Sequence, residues 1–229
     1  MDHLLPLLSD TVVRAHTLEE LARPLLDMLH RTTQLDSTYL TRIDQAHGQQ
    51  HVLYAHNSGA LNIPQGLTVP WENTLCKRAL EENLPYTADV PAVWGDSDAA
   101  RDLGLKTYVS TAIRLPQGQL YGTLCAASGS SLPLPSNAMP MLQLFASLIG
   151  QQVEREMLLH ELQMRNKELA TFAMTDALTG MPNRRALMEE IPRMWARAQR
   201  ESHCVLLAYV DLDGFKGIND QYGHDAGDQ

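Results

Sequence analysis

The sequence predicts an α+β fold in which an antiparallel sheet carries flanking helices. A long linker helix follows, and then the opening helix–strand–helix part of an α/β domain. Three observations predict this order. Alternating apolar segments come in pairs joined by short turns, leucines recur at helical spacing before and after them, and an apolar run near residue 210 ends in two carboxylates. We expect the first domain to cover residues 1–150, the linker helix residues 151–175 and the second domain residues 176–229.

The first helix is predicted over residues 17–35. Leucines recur at intervals of three and four, and Glu19 and Glu20 occupy the first turn, where acidic side chains favour a helix start. Residues 37–43 and 50–55 then form a predicted strand pair, with the turn at His47 and Gly48 between them.

A second amphipathic helix is predicted over residues 71–84. Residues 89–104 contain Pro91, Gly95 and short polar side chains, which predicts a loop with at most a helical turn. Residues 106–115 and 119–128 alternate as strands do, and the Pro-Gln-Gly sequence between them predicts a turn.

The linker helix is predicted from Pro140 onward, because residues 151–179 contain neither Gly nor Pro. Its apolar residues recur at intervals of four, seven and three, which resembles a short heptad seam: Leu158, Leu162, Leu169 and Phe172. One interpretation is a helix that packs on its own domain. The charged faces and the position between two domains favour the other, a helix that pairs with its copy in a homodimer.

The second domain is predicted to begin near Asp176, with a helix over residues 184–200 after Pro182 and Asn183. Residues 203–212 are predicted to form a strand. Its centre is apolar throughout, as is typical of a strand covered on both faces.

Composition excludes several classes of function. The net charge of -9 opposes general binding to nucleic acid or to anionic lipid. The three cysteines are widely spaced, so neither a disulfide framework nor a zinc site is expected. The longest apolar stretch, residues 141–149, is too short to span a bilayer, and the first ten residues lack the pattern of a secretory signal. We therefore expect a cytoplasmic protein that binds neither membranes nor nucleic acid.

The strongest chemical signal is the pair Asp211 and Asp213 after the apolar run. Two residues apart on an extended strand, both carboxylates point to one side and repel each other unless a cation relieves them. Hard oxygen ligands suit Mg²⁺ or Mn²⁺, which usually share their coordination with substrate phosphates. A bare Asp-x-Asp is also typical of a solvated turn, so the surrounding residues must decide.

Two other motifs fit poorly. A calcium loop of the EF-hand type requires an oxygen ligand at Phe215, Gly at Lys216 and Glu at Tyr222, and all three positions are wrong. Phosphatases with an aspartyl nucleophile favour a hydroxyl residue at the position of Phe215.

The segment VDLDGFKGINDQYGHDAGD, residues 210–228, closely resembles the catalytic start of GGDEF-type diguanylate cyclases. A second block, DALTGMPNRR at residues 176–185, resembles the Asp-x-Leu-Thr-x-Leu-x-Asn-Arg-Arg opening of the same domain. Met181 in place of leucine is the one departure in that block, and it is a mild apolar exchange.

The resemblance implies a role for each matching residue. Asp211 would bind the divalent metals with help from the Leu212 carbonyl, and Lys216 would contact the triphosphate of GTP. Asn219 and Asp228 would hydrogen-bond guanine, since an amide and a carboxylate complement the edge of that base. Asp213 and His224 are expected to be supporting residues. The implied reaction joins two GTP molecules, one on each protomer of a dimer, into cyclic di-GMP.

The sequence departs decisively from the family in another respect: the GG(D/E)EF signature does not occur among its 229 residues. We therefore expect that the chain is truncated and inactive by itself and that an intact parent protein is a diguanylate cyclase. The alternative is a sensory binding module with a degenerate, non-catalytic GGDEF domain.

Residues 1–150 resemble a GAF domain of the kind found ahead of GGDEF domains. The resemblance rests on WENTLCKRAL at residues 71–80, DVP at 89–91 and YGTLCAAS at 121–128. It implies control of the output by an unknown small-molecule ligand and a homodimer that forms through the GAF domain and the linker helix. Cys76 is expected to be a structural thiol, because bilin-binding relatives place His after the attachment cysteine and here Lys77 follows.

Overall fold

The computed structural model describes residues 4–228. The chain divides into two compact units, Met1–Leu159 and His160–Gln229. The first unit is built on one six-stranded sheet in the order β3-β2-β1-β6-β5-β4, and every neighbouring pair of strands is antiparallel. The predicted antiparallel α+β fold with flanking helices is confirmed.

The first unit contains these elements in chain order: α1 Leu4–Arg14, α2 Leu18–Thr33, β1 Ser37–Asp44, β2 Gln49–Asn57, β3 Thr68–Pro70, a 3₁₀ turn Trp71–Asn73, α3 Leu75–Glu81, β4 Tyr86–Thr87, α4 Val90–Trp94, α5 Asp98–Asp102, β5 Thr107–Arg114 and β6 Leu120–Ser128. Helix α6, Ala138–Met174, begins in the first unit and ends in the second. The second unit adds α7 Arg184–Glu201, α8 Phe215–Tyr222 and α9 His224–Gly227.

Helix α2 begins at a capping box. The backbone N–H of Glu20 donates to Thr17 Oγ1 at 3.2 Å, and the backbone N–H of Thr17 donates to Glu20 Oε2 at 3.2 Å. These two bonds satisfy donors that the first helical turn leaves free. The hydrogen bonds from the His16 and Thr17 backbone also lower the pKa of the Glu20 carboxyl. The helix ends at Gln34, which has a left-handed backbone.

Both faces of the sheet are buried, because successive side chains of a strand point to opposite sides. On one side Leu40, Val109 and Leu124 pack with the buried faces of α2 and α6. The alternate strand residues, such as Tyr39, Tyr108 and Cys125, point to the other side. There they pack with residues of α3, α4 and α5, and Trp94 of α4 belongs to this second core. The sheet therefore separates two apolar cores, each covered by helices.

Several elements differ from the sequence prediction. Helix α1 and the short strands β3 and β4 were not predicted. The predicted helix over residues 71–84 is shorter, since Thr74 has extended backbone and its hydroxyl accepts a hydrogen bond from Lys77 N, so α3 begins only at Leu75. The predicted loop at residues 89–104 contains the two short helices α4 and α5.

The predicted strand over residues 203–212 is wrong as a sheet element. These residues carry no strand assignment, and Leu206, Tyr209 and Val210 are 95%, 95% and 84% exposed. A strand is stabilised by a neighbour that pairs with its backbone groups. Within residues 160–228 the structure shows no sheet that could supply one; the single bridge there joins Thr175 and Pro182.

None of the helices that the structure describes combines the length and the apolar character needed to cross a membrane.

Gly122 marks the closest approach between β6 and β1. A Cβ atom at this position would lie 1.8 Å from the carbonyl oxygen of Thr41, which is backbone and cannot rotate away. We expect Gly122→Ala to lower the free energy of unfolding by about 1–3 kcal/mol, as overpacking does. Urea denaturation followed by far-UV circular dichroism measures the change.

Gly129→Ala is the matched control for this substitution. A Cβ at Gly129 would find its nearest atom, the carbonyl oxygen of Gly104, at an ordinary 3.6 Å. The control is expected to unfold at the wild-type urea concentration. Equal midpoints for the two variants would contradict the packing argument.

Candidate functional site

The carboxylate predicted to bind metal, Asp211, is exposed in an irregular segment before α8. Its Oδ1 accepts a hydrogen bond from the backbone N–H of Leu212 at 3.0 Å. Among the residues described, no group of three or more His, Cys, Asp or Glu side chains is arranged to hold a metal ion. What the structure offers at Asp211 is therefore a single open carboxylate beside a backbone carbonyl.

Helix α8 carries the next two predicted site residues. It begins after Gly214, whose φ of 78° is left-handed and favours glycine. At this turn the backbone N–H of Phe215 lies 3.4 Å from the Leu212 carbonyl oxygen. Lys216 and Asn219 are three residues apart on the helix, so their side chains lie on the same side.

Asn219 differs from the other site residues in its surroundings. Lys216 is exposed, whereas Asn219 is half-buried and its Oδ1 is fully buried without a hydrogen-bond partner. An unsatisfied buried carbonyl oxygen costs free energy, so native proteins rarely keep one without a reason. A ligand that donates a hydrogen bond would satisfy it.

Asp228 lies directly after the short helix α9, and its backbone N–H donates to the His224 carbonyl at 3.0 Å. Its side chain is exposed. All four polar side chains predicted to act on nucleotide are thus present on or beside α8 and α9, within the second unit.

The block at residues 176–185 forms the turn between α6 and α7. The carboxylate of Asp176 accepts hydrogen bonds from the backbone N–H groups of Leu178 and Thr179 and from the Thr179 hydroxyl, at 2.9–3.2 Å. The hydrogen bond from the Thr179 backbone is the main cause of the lowered pKa of Asp176. Asn183 caps α7 by accepting from Arg185 N and Ala186 N. These residues order a turn and do not themselves form a ligand site.

The first unit contains a cavity of about 430 Å³ between the sheet and the segments around α3 and α5. Its apolar wall consists of Val52, Ile63, Leu67, Leu75 and Leu105. Its rim carries Arg78 and Asp96, which form an ion pair at 2.6 Å from Nη1 to Oδ1. Mostly apolar walls with a few polar groups are typical of a small-molecule site.

A buried group of polar side chains lies beneath this cavity, and we call it the polar floor. It consists of Thr41, Gln50, Cys76, Tyr108, Thr123 and Cys125. Gln50 Nε2 donates to Thr41 Oγ1 at 2.7 Å and lies 3.1 Å from Cys76 Sγ. The Tyr108 hydroxyl donates to Cys76 Sγ at 3.0 Å. Buried polar groups are tolerated when they are connected in this way.

The two thiols of the polar floor differ in acidity. The contact with the Cys125 thiol, followed by those with Thr123, Tyr108 and Gln50, lowers the pKa of the Cys76 thiol, although its burial acts in the opposite direction. Burial, followed by the interaction with Cys76, raises the pKa of the Cys125 thiol well above its ordinary value. The surrounding donors thus favour the thiolate of Cys76 over that of Cys125.

Sequence reasoning identified Cys76 but missed the rest of the polar floor. The available signal was weak: Thr41, Gln50, Thr123 and Cys125 are polar or thiol residues within predicted strands. Their meeting under one cavity depends on the strand order, in which β1 lies between β2 and β6.

Comparison with known proteins identifies two families along the chain. The family model described as "GAF domain" matches residues 17–153, and that described as "Diguanylate cyclase, GGDEF domain" matches residues 173–229.

Two curated relatives are both named "Diguanylate cyclase DgcP". The protein from Escherichia coli (strain K12) is 44% identical over 227 residues, which is 99% of this chain and 67% of the relative. The protein from Pseudomonas aeruginosa is 53% identical over 57 residues, which is 25% of this chain and 8% of that protein.

A solved structure, the chromophore-binding domain of the bacteriophytochrome RpBphP3 from R. palustris, matches with a TM-score of 0.57. It is 13% identical and covers 71% of this chain and 62% of its own. This likeness shows the fold alone.

Proposed function

The chain belongs to the GAF–GGDEF family of diguanylate cyclases, and we propose that its function is the regulated condensation of two GTP molecules into cyclic di-GMP. In this proposal residues 1–150 are the GAF sensor domain, residues 151–175 the signalling linker helix and residues 176–229 the amino-terminal part of the GGDEF domain. The observation that carries it is the set Asp211, Lys216, Asn219 and Asp228, in order, within the region that the GGDEF family model matches.

Each of these side chains has a role that its chemistry supports. Lys216 is an exposed ammonium that reaches the triphosphate as a point charge. Asn219 and Asp228 bind guanine; the buried Oδ1 of Asn219 has no partner in the described residues, and rotation of its side chain toward the base would satisfy it. Because adenine presents different donors and acceptors, this pair selects GTP over ATP.

The oxygen atoms at Asp211 and Leu212 are suitable ligands for a divalent cation. The Asp211 carboxylate is exposed, and it accepts a hydrogen bond from the N–H of its own neighbour, Leu212. A free carboxylate beside a backbone carbonyl is the kind of hard oxygen set that Mg²⁺ or Mn²⁺ prefers. When bound, such an ion neutralises phosphate charge and lowers the pKa of an attacking hydroxyl. Asp211 and Leu212 would hold it, and Lys216 would bind the phosphates beside it.

The 229 residues do not contain the GG(D/E)EF sequence. We therefore propose that these residues alone bind nucleotide without converting it, and that cyclase activity requires a protein that carries this signature as well. Cyclic di-GMP formed by the 229-residue chain would contradict this part of the proposal.

The test of the metal role is Asp211→Ala, made in a protein in which these residues are followed by a segment carrying GG(D/E)EF. We expect kcat for cyclic di-GMP to fall on the order of a hundredfold or more, because the cation loses a ligand. Asp225→Ala, which removes an exposed carboxylate nearby in sequence, is the control. Equal activity of the wild type and Asp211→Ala would contradict the proposal. A wild type that binds GTP without turnover would support the sensory binding module instead.

The test of base recognition is Asn219→Ala in the same protein. We expect KM for GTP to rise about tenfold through the lost hydrogen bond, while inhibition by ATP stays unchanged. Asp220→Ala, the exposed neighbour on α8, is the matched control and should leave KM near the wild-type value. A loss of affinity for ATP as large as that for GTP would show that Asn219 does not read the base.

We propose further that the protein is a homodimer that forms through the GAF domain and the linker helix. Support comes from the seam residues of α6: Leu158, Leu162, Leu169 and Phe172 are 56%, 56%, 65% and 77% exposed. Apolar residues at this spacing are stabilised when a second helix covers them. The cavity of the first unit takes the small molecule that controls the output.

Sedimentation of the chain measures this association. We expect Leu162→Glu to raise the dimer dissociation constant about tenfold or more, because a buried unpaired carboxylate would enter the seam. Gln163→Glu, one position away and equally exposed, is expected to leave it unchanged. A monomeric wild type at high concentration argues against the dimer.

A further inference from the structure

The polar floor contains two cysteines whose sulfur atoms nearly touch. Cys76 lies on α3 and Cys125 on β6, and their Sγ atoms are 3.6 Å apart. Both are buried, with 4% and 0% of their surface exposed. A disulfide requires a sulfur–sulfur distance near 2.0 Å, so the two sulfurs must approach each other by about 1.6 Å to bond.

The hydrogen bonds make the two sulfurs unequal. Cys76 Sγ accepts from the Tyr108 hydroxyl at 3.0 Å and lies 3.1 Å from the donor Gln50 Nε2. Cys125 Sγ instead donates to Thr123 Oγ1 at 3.2 Å and lies farther from the Tyr108 hydroxyl, at 3.6 Å. Donors stabilise a thiolate and an acceptor retains a thiol proton, so Cys76 is the nucleophile and Cys125 the protonated partner.

The two cysteines also differ in their access to the cavity. Cys76 lines the cavity of the first unit, whereas Cys125 does not line it and has no exposed surface. A small polar molecule in the cavity therefore meets Cys76 first. Cys125 is reached only through Cys76.

We infer that Cys76 and Cys125 are a peroxide-oxidisable dithiol, in which Cys76 reacts with a hydroperoxide in the cavity and Cys125 completes a disulfide. In the first step the Cys76 thiolate attacks one peroxide oxygen. The S–O bond forms, the O–O bond breaks, and the leaving hydroxide becomes water with the proton that Cys76 had released. In the second step Cys125 Sγ attacks the sulfenic sulfur, and the departing hydroxide takes the Cys125 proton. Two thiols and one hydrogen peroxide thus give one disulfide and two waters.

Oxidation changes the cavity as well as the sulfurs. A disulfide sulfur is a far weaker acceptor than a thiolate, so Gln50 Nε2 and the Tyr108 hydroxyl lose their partner at Cys76. The Tyr108 hydroxyl is buried and then needs a new acceptor, whereas Gln50 Nε2 keeps Thr41 Oγ1 at 2.7 Å. Ser110, paired in register with Cys125, carries a buried hydroxyl without a partner in the described structure. The dithiol is therefore placed to rearrange the polar floor in response to the redox state.

The test uses the 229-residue chain with Cys204→Ser, because exposed Cys204 would otherwise form disulfides between molecules. The reduced protein is treated with hydrogen peroxide, unfolded, alkylated and mapped by mass spectrometry. We expect loss of both free thiols, a peptide pair linked through Cys76 and Cys125, and full recovery of the thiols with a reductant. Absence of that linked pair while Cys76 stays reduced or passes to irreversible acids overturns the proposal.

Two single variants test the order of attack. With Cys125→Ser, we expect a sulfenic acid at Cys76 that dimedone traps. With Cys76→Ser, Cys125 should stay reduced under the same treatment, and a dimedone adduct at Cys125 would overturn the assignment. Circular dichroism establishes that each variant is folded, and the linked peptide in the parent chain needs neither variant.

Discussion

The sheet of the first unit must bury both of its faces, and the rest of that unit follows from this constraint. Strand β1 is paired on both edges, with β2 and β6, and its alternate residues enter two separate cores. The face toward α2 and α6 is apolar and filled by leucines.

The opposite face departs from simple apolar packing. Thr41, Gln50 and Thr123 place polar atoms inside the core, where each must find a partner. They find one another and the two thiols, and so form a connected network beneath a cavity. Proteins retain polar groups in a core at a cost in stability, and such exceptions concentrate where a protein binds or reacts.

The second unit is organised by turns and not by a sheet. Asp176 and Asn183 satisfy the backbone groups between α6 and α7, so the family block at residues 176–185 has a structural explanation. The segment before Asp211 has no strand to pair with in the described residues, and its apolar side chains are exposed. The proposed nucleotide-binding residues therefore lie on a short local stretch, in which α8 sets the spacing of Lys216 and Asn219.

The sequence by itself determined the antiparallel α+β fold, the helix starts at Thr17 and Asn183, and the identity of the candidate nucleotide residues. These features depend on local spacing, capping and motif order, which are written along the chain. The short strands β3 and β4 were missed because two or three residues carry no measurable periodicity. The strand predicted over residues 203–212 was wrong because pairing depends on a partner that local pattern cannot supply. Only the tertiary structure decided that Cys76 and Cys125, 49 residues apart, meet at 3.6 Å. Strand order and helix packing bring them together, and neither is encoded in any single segment.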